Sequence, residues 1–420
     1  MLSEVVEFWM LAMRGERLKL RAPRDDEAAW SSGRERLNKG TNAHAAERAG
    51  VSKVHFLRFR EKESDVLSAV NRLLEKTGFG DRLQEGELVA IKMHFGERGN
   101  VGHVRPQVAR AVVEFVRRRG ALPFLTDTTT LYSGFRRTAV DYLETAAING
   151  FDIATVGAPI IIADGLLGRD YREVETPGEL GRIAVASAIA EANAMVVLTH
   201  FKFHISFGIG GALKNVAMGC CARKTKYDLH AVAKPQVVEE RCVGCGLCAR
   251  HCAYNAIAVV EGKARIDYDK CVGCGDCVAI CRFRAVRMVW GRGEHAERML
   301  KRAAEAVYGV LKTFEEGKVL FVNVLADITR RCDCATSLET PLLPDIGILA
   351  SYDPVAIDQA SVDLVNSMPA FIPKEDGSVE YVPPGENKLK VFYPEIPWWI
   401  LLEEAEKLGI GRRKCELETV

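Results

Sequence analysis

The sequence predicts an α/β protein in which a mostly parallel sheet domain is interrupted by a small, cysteine-rich α+β domain. Three observations predict it. Short apolar runs recur at 88–94, 121–127, 159–164, 194–200, 319–325 and 345–351, as in strands buried on both faces of a sheet. Helical patterns over 65–76, 107–119, 135–149, 182–193, 295–314, 354–365 and 397–408 alternate with them, which is the order that parallel sheets require. Eight of the 13 cysteines fall within residues 242–281. At 420 residues the chain also exceeds the ~250–300 at which one hydrophobic core stops growing.

Taken in order, residues 1–52 form an N-terminal tail: they hold no cysteine, and 22–50 carry no strand pattern. Their apolar stretch VVEFWMLAM has no basic segment before it and contains Glu7, which argues against a secretory leader. Val51 could serve as an alternative start. The α/β domain begins at 53, where VHFLRF alternates like a strand, runs to 235 and resumes over 291–420. The cysteine-rich domain occupies 236–290. A net charge of 57 − 56 = +1 removes the electrostatic case for nucleic acid as the main partner. No apolar run approaches the ~18–20 residues of a membrane span, and the cysteine usage suits a reducing cytoplasm.

Cys242, Cys245, Cys248 and Cys252 form C-x2-C-x2-C-x3-C, and Cys271, Cys274, Cys277 and Cys281 repeat it 29 residues later. Three thiolates at this spacing can wrap one cubane, while the fourth ligand serves the cluster of the other half. The expected sets are therefore Cys242, Cys245, Cys248 and Cys281 for one [4Fe-4S] cluster, and Cys271, Cys274, Cys277 and Cys252 for the second. A pair of structural zinc sites is the plainer alternative, which the doubled order of eight cysteines disfavours. The proline that usually follows the fourth cysteine is absent, Ala253 and Arg282 standing there instead.

Polar residues cluster where the sheet would present its strand ends: Lys92 and His94, then Asp127, then His200 and Lys202, then Asn323, Cys332 and Cys334. The crevice outside the carboxyl ends of strands is the usual ligand site of an open α/β sheet. Each could equally be a cap or a surface loop. The segment FGIGGALKNVAMG (207–219) suggests an anion cradle built from Gly210, Gly211, Lys214 and Asn215, with tight helix–sheet packing as the equal alternative. C-x-C is too tight for an easy disulfide, so Cys332 and Cys334 read as free, reactive or metal-bound thiols.

The segments IKMHFGERGNVGHVRP, TDTTTLYSGFRRTA, LTHFKFHISFGIGGALKN, NVLADITRRCDC and SYDPVAIDQASVDL, set around the doubled motif, resemble the uncharacterised Fe-S center protein family. That family is built on Domain of Unknown Function 362. The resemblance covers about 53–415 and implies an iron–sulfur protein of anaerobic or thermophilic prokaryotes, with no established reaction. Together with the residues it gives the expected function: electrons pass through two [4Fe-4S] clusters to a substrate or metal in the crevice, as in an oxidoreductase. Lys202 and Lys214 would hold a small anionic substrate, and Lys92 and Asp127 would line the same crevice. His94 and His200 would donate protons or ligate metal, and Cys332 with Cys334 would react or hold an additional metal. An electron-donor or acceptor protein is the expected partner. The alternative is a non-catalytic electron carrier, metal carrier or partner-binding protein.

Overall fold

The computed structural model describes residues 51–59, 65–131, 134–230, 234–252, 254–271, 276–289, 294–334, 339–374 and 377–420. The expectations for residues 1–50, including the tail, and for Cys274 lie outside the described residues. Eight strands form the main sheet: β1 Ser52–Arg58, β2 Leu88–Lys92, β3 Leu122–Asp127, β4 Ile160–Ile162, β5 Ala194–His200, β6 Val319–Leu325, β7 Gly347–Ser351 and β8 Cys415–Thr419. Their spatial order is β8-β1-β7-β6-β5-β2-β3-β4. Only β7 runs against the rest, since its pairings with β1 and β6 are antiparallel and the other five are parallel.

The helices of eight residues or more are α1 Val66–Thr77, α2 Pro106–Arg117, α3 Ala139–Ile148, α4 Ala212–Gly219, α5 Arg223–His230, α6 Glu294–Leu311, α7 Pro354–Asn366 and α8 Trp399–Lys407. β5 and β6 are buried along their whole length, and their side chains alternate between two cores. Met195, Val197 and Phe321 join the core that holds α4, α6, α7 and α8. Val196, Leu198 and Val322 join the core of α1, α2 and α3. Helices therefore cover both faces, which explains why these strands read as continuous apolar runs.

Two expectations need correction. The helical pattern over 182–193 is in fact a strand, Arg182–Ala186, paired antiparallel with Tyr171–Glu175, followed by a single helical turn at Ser187–Ala190. The alternation Arg182, Ile183, Ala184, Val185 was the strand signal, and the alanines obscured it. The sequence reading also missed the edge strand β8. Among the described residues no helix is long and apolar enough to cross a membrane.

The cysteine-rich module carries its duplication into the backbone. Lys234–Val237, Leu247–His251 and Ile257–Val260 recur as Lys263–Ile266, Asp276–Ile280 and Val286–Val289, and every boundary is shifted by 29 (263 − 234, 276 − 247, 286 − 257). The halves interlock. The first strand of one pairs with the last strand of the other, and the two inner strands pair together. Asn255 and Arg284, also 29 apart, both adopt positive φ, so the turn after each fourth cysteine repeats as well.

Candidate functional site

The order of the sheet reverses between β2 and β5: β3 and β4 extend to one side of β2, while β5 and β6 lie on the other. Such a switch point opens a crevice at the carboxyl ends of the strands, and Lys92 and His200 are the last residues of these two strands. Lys92 Nζ lies 3.0 Å from Asp127 Oδ1 and donates to Asn215 Oδ1 at 2.6 Å. Tyr142 donates its hydroxyl to the other Asp127 oxygen, and Arg136 stands 3.9 Å from it. Burial pushes the Asp127 carboxyl up, but Lys92, Arg136 and Lys226 more than offset that and hold it below the usual carboxylate range.

A second cluster centres on Asp333. Its carboxylate lies 2.7 Å from His200 Nδ1 and accepts from Lys202 Nζ at 2.8 Å, and these partners outweigh its burial and keep it well below the usual range. His200 Nε2 faces Ala326 O at 2.8 Å. Both ring nitrogens thus face acceptor oxygens. A metal at His200 would have to displace one of these two contacts, whereas proton donation is compatible with both. His94 accepts from Gly96 N at 2.9 Å through Nδ1, and burial followed by the Arg136 charge holds it well below the usual histidine range.

Lys214 feels the charges of Lys202, Asp333, Arg136 and Lys92, so the two clusters and this lysine share one crevice. Asn215 is committed: its amide donates to Leu198 O and Thr199 Oγ1 while its oxygen serves Lys92. The anion cradle expected at Gly210 and Gly211 is already filled by the protein. Asp358 accepts from Ala212 N at 2.7 Å and Leu213 N at 3.0 Å, and a side chain on Gly211 would collide with its carboxylate. The packing reading of these glycines is the correct one. Asn323 lies beneath the crevice, donating to Asp358 and Ser361.

Cys332 and Cys334 are joined as a disulfide, contrary to the expectation from their spacing. The ligand-capable atoms of His204, Cys332 and Cys334 all lie within 4.8 Å of one another, so the His204 ring stands directly beside the pair. The sequence reading missed Arg136, Glu97, Tyr142, Lys226 and Asp358 as parts of the site. Arg136, Asp358 and Glu97 stand in segments that carried the family resemblance. Glu97 and Tyr142 acquire their roles only through contacts across the fold, with Arg136 and Asp127.

In the cysteine-rich module, Cys242, Cys245, Cys248 and Cys281 line one cavity with Leu247 and Phe283. Gly244, at φ 65°, lets the loop turn there, and any side chain would strike the Gly262 carbonyl. Backbone N–H groups of Ala264, Ala256 and Ala285 donate to the sulfurs of Cys242, Cys252 and Cys281 at 3.3, 3.3 and 3.2 Å. The module touches the crevice wall: Arg137 donates to Cys281 O at 2.8 Å, and Leu131 packs with Cys248, Cys277 and Cys281.

No curated protein matches this chain. Among solved structures it has a low similarity to the lactate racemase apoprotein from Thermoanaerobacterium thermosaccharolyticum, with a TM-score of 0.32 and 11% identity over 66% of this chain and 51% of that one. A protein from Thermotoga maritima gives a TM-score of 0.31 and 13% identity over 62% of this chain and 49% of that one. The chain spans about half the length of each. Residues 89–363, which are 363 − 89 + 1 = 275 of 420, match the family described as Domain of unknown function (DUF362), and the chain belongs to that family.

Proposed function

We propose that the protein binds two [4Fe-4S] clusters in its cysteine-rich module and passes electrons to a substrate in the crevice, as an oxidoreductase. The observation that carries this reading is the cavity lined by Cys242, Cys245, Cys248 and Cys281. It joins three cysteines of one half to the fourth of the other, which is the crossed ligand set of a two-cluster module. Backbone N–H groups aimed at three cysteine sulfurs favour charged sulfur and suit an anionic cluster better than a neutral thiol. Cys271, Cys277 and Cys252 would hold the second cluster together with Cys274. Each bound cluster would take up and release one electron at a time.

The crevice side chains support a reaction rather than mere carriage. Lys202 and Lys214 would hold an anionic group, Lys92 and Asp127 would fix the floor, His200 would supply a proton, and His94 would donate a hydrogen bond through Nε2–H. An electron-donor protein would dock on the module. Anaerobic purification followed by iron and sulfide analysis tests the reading, with about eight of each per chain expected for two cubanes. Two zinc ions and no sulfide would overturn it.

A further inference from the structure

We propose that Cys332 and Cys334 are a two-electron dithiol/disulfide couple that draws its electrons from the cysteine-rich module. This rests on the cluster reading above and names the group that receives the electrons. A disulfide needs two electrons to open, and two one-electron centres match that count.

The structure supplies a hydrogen-bonded link between them. The segment Phe135–Arg137 touches both ends. Phe135 N donates to Glu97 Oε1 at 2.8 Å and Arg136 Nε to Glu97 Oε2 at 3.2 Å, while Glu97 N donates to Asp333 O at 2.8 Å. At the other end, Arg137 Nη1 donates to the carbonyl of Cys281, a proposed cluster ligand. The loop bearing the cysteine pair is therefore linked through Glu97 and one arginine-rich turn to the module.

The ring beside the pair is set up as a donor rather than a ligand. His204 Nδ1 accepts from Ser206 N at 3.0 Å and Phe207 N at 3.1 Å. An imidazole accepting at Nδ1 carries its proton on Nε2, and a resident metal would need a lone pair that this ring has already committed. Asp333, between the two cysteines, has its charge matched by Lys202, so it does not oppose a thiolate. Cys332 is 5% exposed and Cys334 is half-buried, which makes Cys334 the sulfur that meets a substrate.

The Cys332–Cys334 bond breaks as the pair accepts two electrons and two protons, yielding two thiols. Two one-electron donor molecules of the ferredoxin class are each oxidised once. Both protons come from solvent, one at each sulfur, while His204 Nε2–H donates a hydrogen bond to the thiolate as it forms.

The test uses the full chain purified anaerobically and assayed for iron and zinc. Protein is oxidised with ferricyanide, then incubated with or without reduced methyl viologen, denatured in iodoacetamide and digested. The expected result is two alkyl groups on the peptide holding Cys332 and Cys334 only after reduction, and loss of that conversion in a Cys245→Ser variant. His204→Leu is expected to slow the conversion roughly tenfold, as for a lost hydrogen bond to a charged group. Bleaching of the clusters while the pair stays oxidised would overturn the couple and leave the cluster reading standing. Zinc lost on Cys332→Ser would do the same in favour of a metal site. Absence of iron and sulfide would remove the cluster reading and the electron route together.

Discussion

Lys214 differs from its neighbours in the charge it faces. Lys92 has Asp127 and Lys202 has Asp333, whereas the Lys214 ammonium stands 5.7 Å from the Phe207 ring centre with no carboxylate in ion-pair reach among the described residues. Burial, then the charge of Lys202, lowers its pKa to about 7, with Arg136 and Lys92 acting in the same sense and Asp333 against them. An anion bound there is held by a charge that is present below pH 7 and lost above it. Sulfate, which does not titrate in this range, is expected to bind roughly tenfold more weakly at pH 8 than at pH 6. Titration calorimetry at the two pH values checks this. Lys214→Arg should flatten the dependence and Lys214→Met should abolish binding, and equal wild-type affinities at both pH values would refute the assignment.

Three elements meet at Asp358: it lies on α7, caps α4 through Ala212 and Leu213, and accepts from Asn323 of β6 at 2.9 Å. Burial raises its pKa from the ordinary 3.8 to about 6, against the pull of these donors toward the ionised form. A carboxyl that binds its proton more tightly when folded contributes stability fully present below pH 3.8 and lost as pH rises to 6. The difference is on the order of 3 kcal/mol between those limits. Thermal midpoints of wild type should therefore fall from pH 4 to pH 6 relative to Asp358→Asn, and parallel curves for the two proteins would count against this cap. The same residue shows why the elements were only partly legible in sequence. β5 and β6 carry their burial in their own composition, and their bounds match the apolar runs at 194–200 and 319–325. The glycine-rich turn before α4 reads locally as an anion cradle. The carboxylate that fills it arrives from a residue 146 positions later, and no local pattern records that.

At the scale of the whole molecule, the crevice was legible because α/β topology gathers strand ends: Lys92, His94, Asp127, His200, Lys202 and the Asp333 loop are far apart in sequence and meet at one switch point. What sequence spacing did not reveal was how the groups pair, since His200, Asn215 and Asn323 are tied up by partners that only tertiary packing brings in. The module was legible for a different reason, because a 29-residue duplication repeats ligands, helices and strands together. Its halves are nevertheless not independent. Cys281 belongs to the second half by sequence but lines the cavity of Cys242, Cys245 and Cys248, whereas Cys252 of the first half is not among the residues lining it. Under the proposed function, Cys281→Ser should therefore perturb the same cluster as Cys245→Ser, and Cys252→Ser the same cluster as Cys277→Ser. Electron paramagnetic resonance of the four reduced, reconstituted variants separates the pairs: the spectra should match across the halves. If Cys252→Ser instead reproduced the spectrum of Cys245→Ser, each half would hold its own cluster, and the crossed ligand set would be wrong.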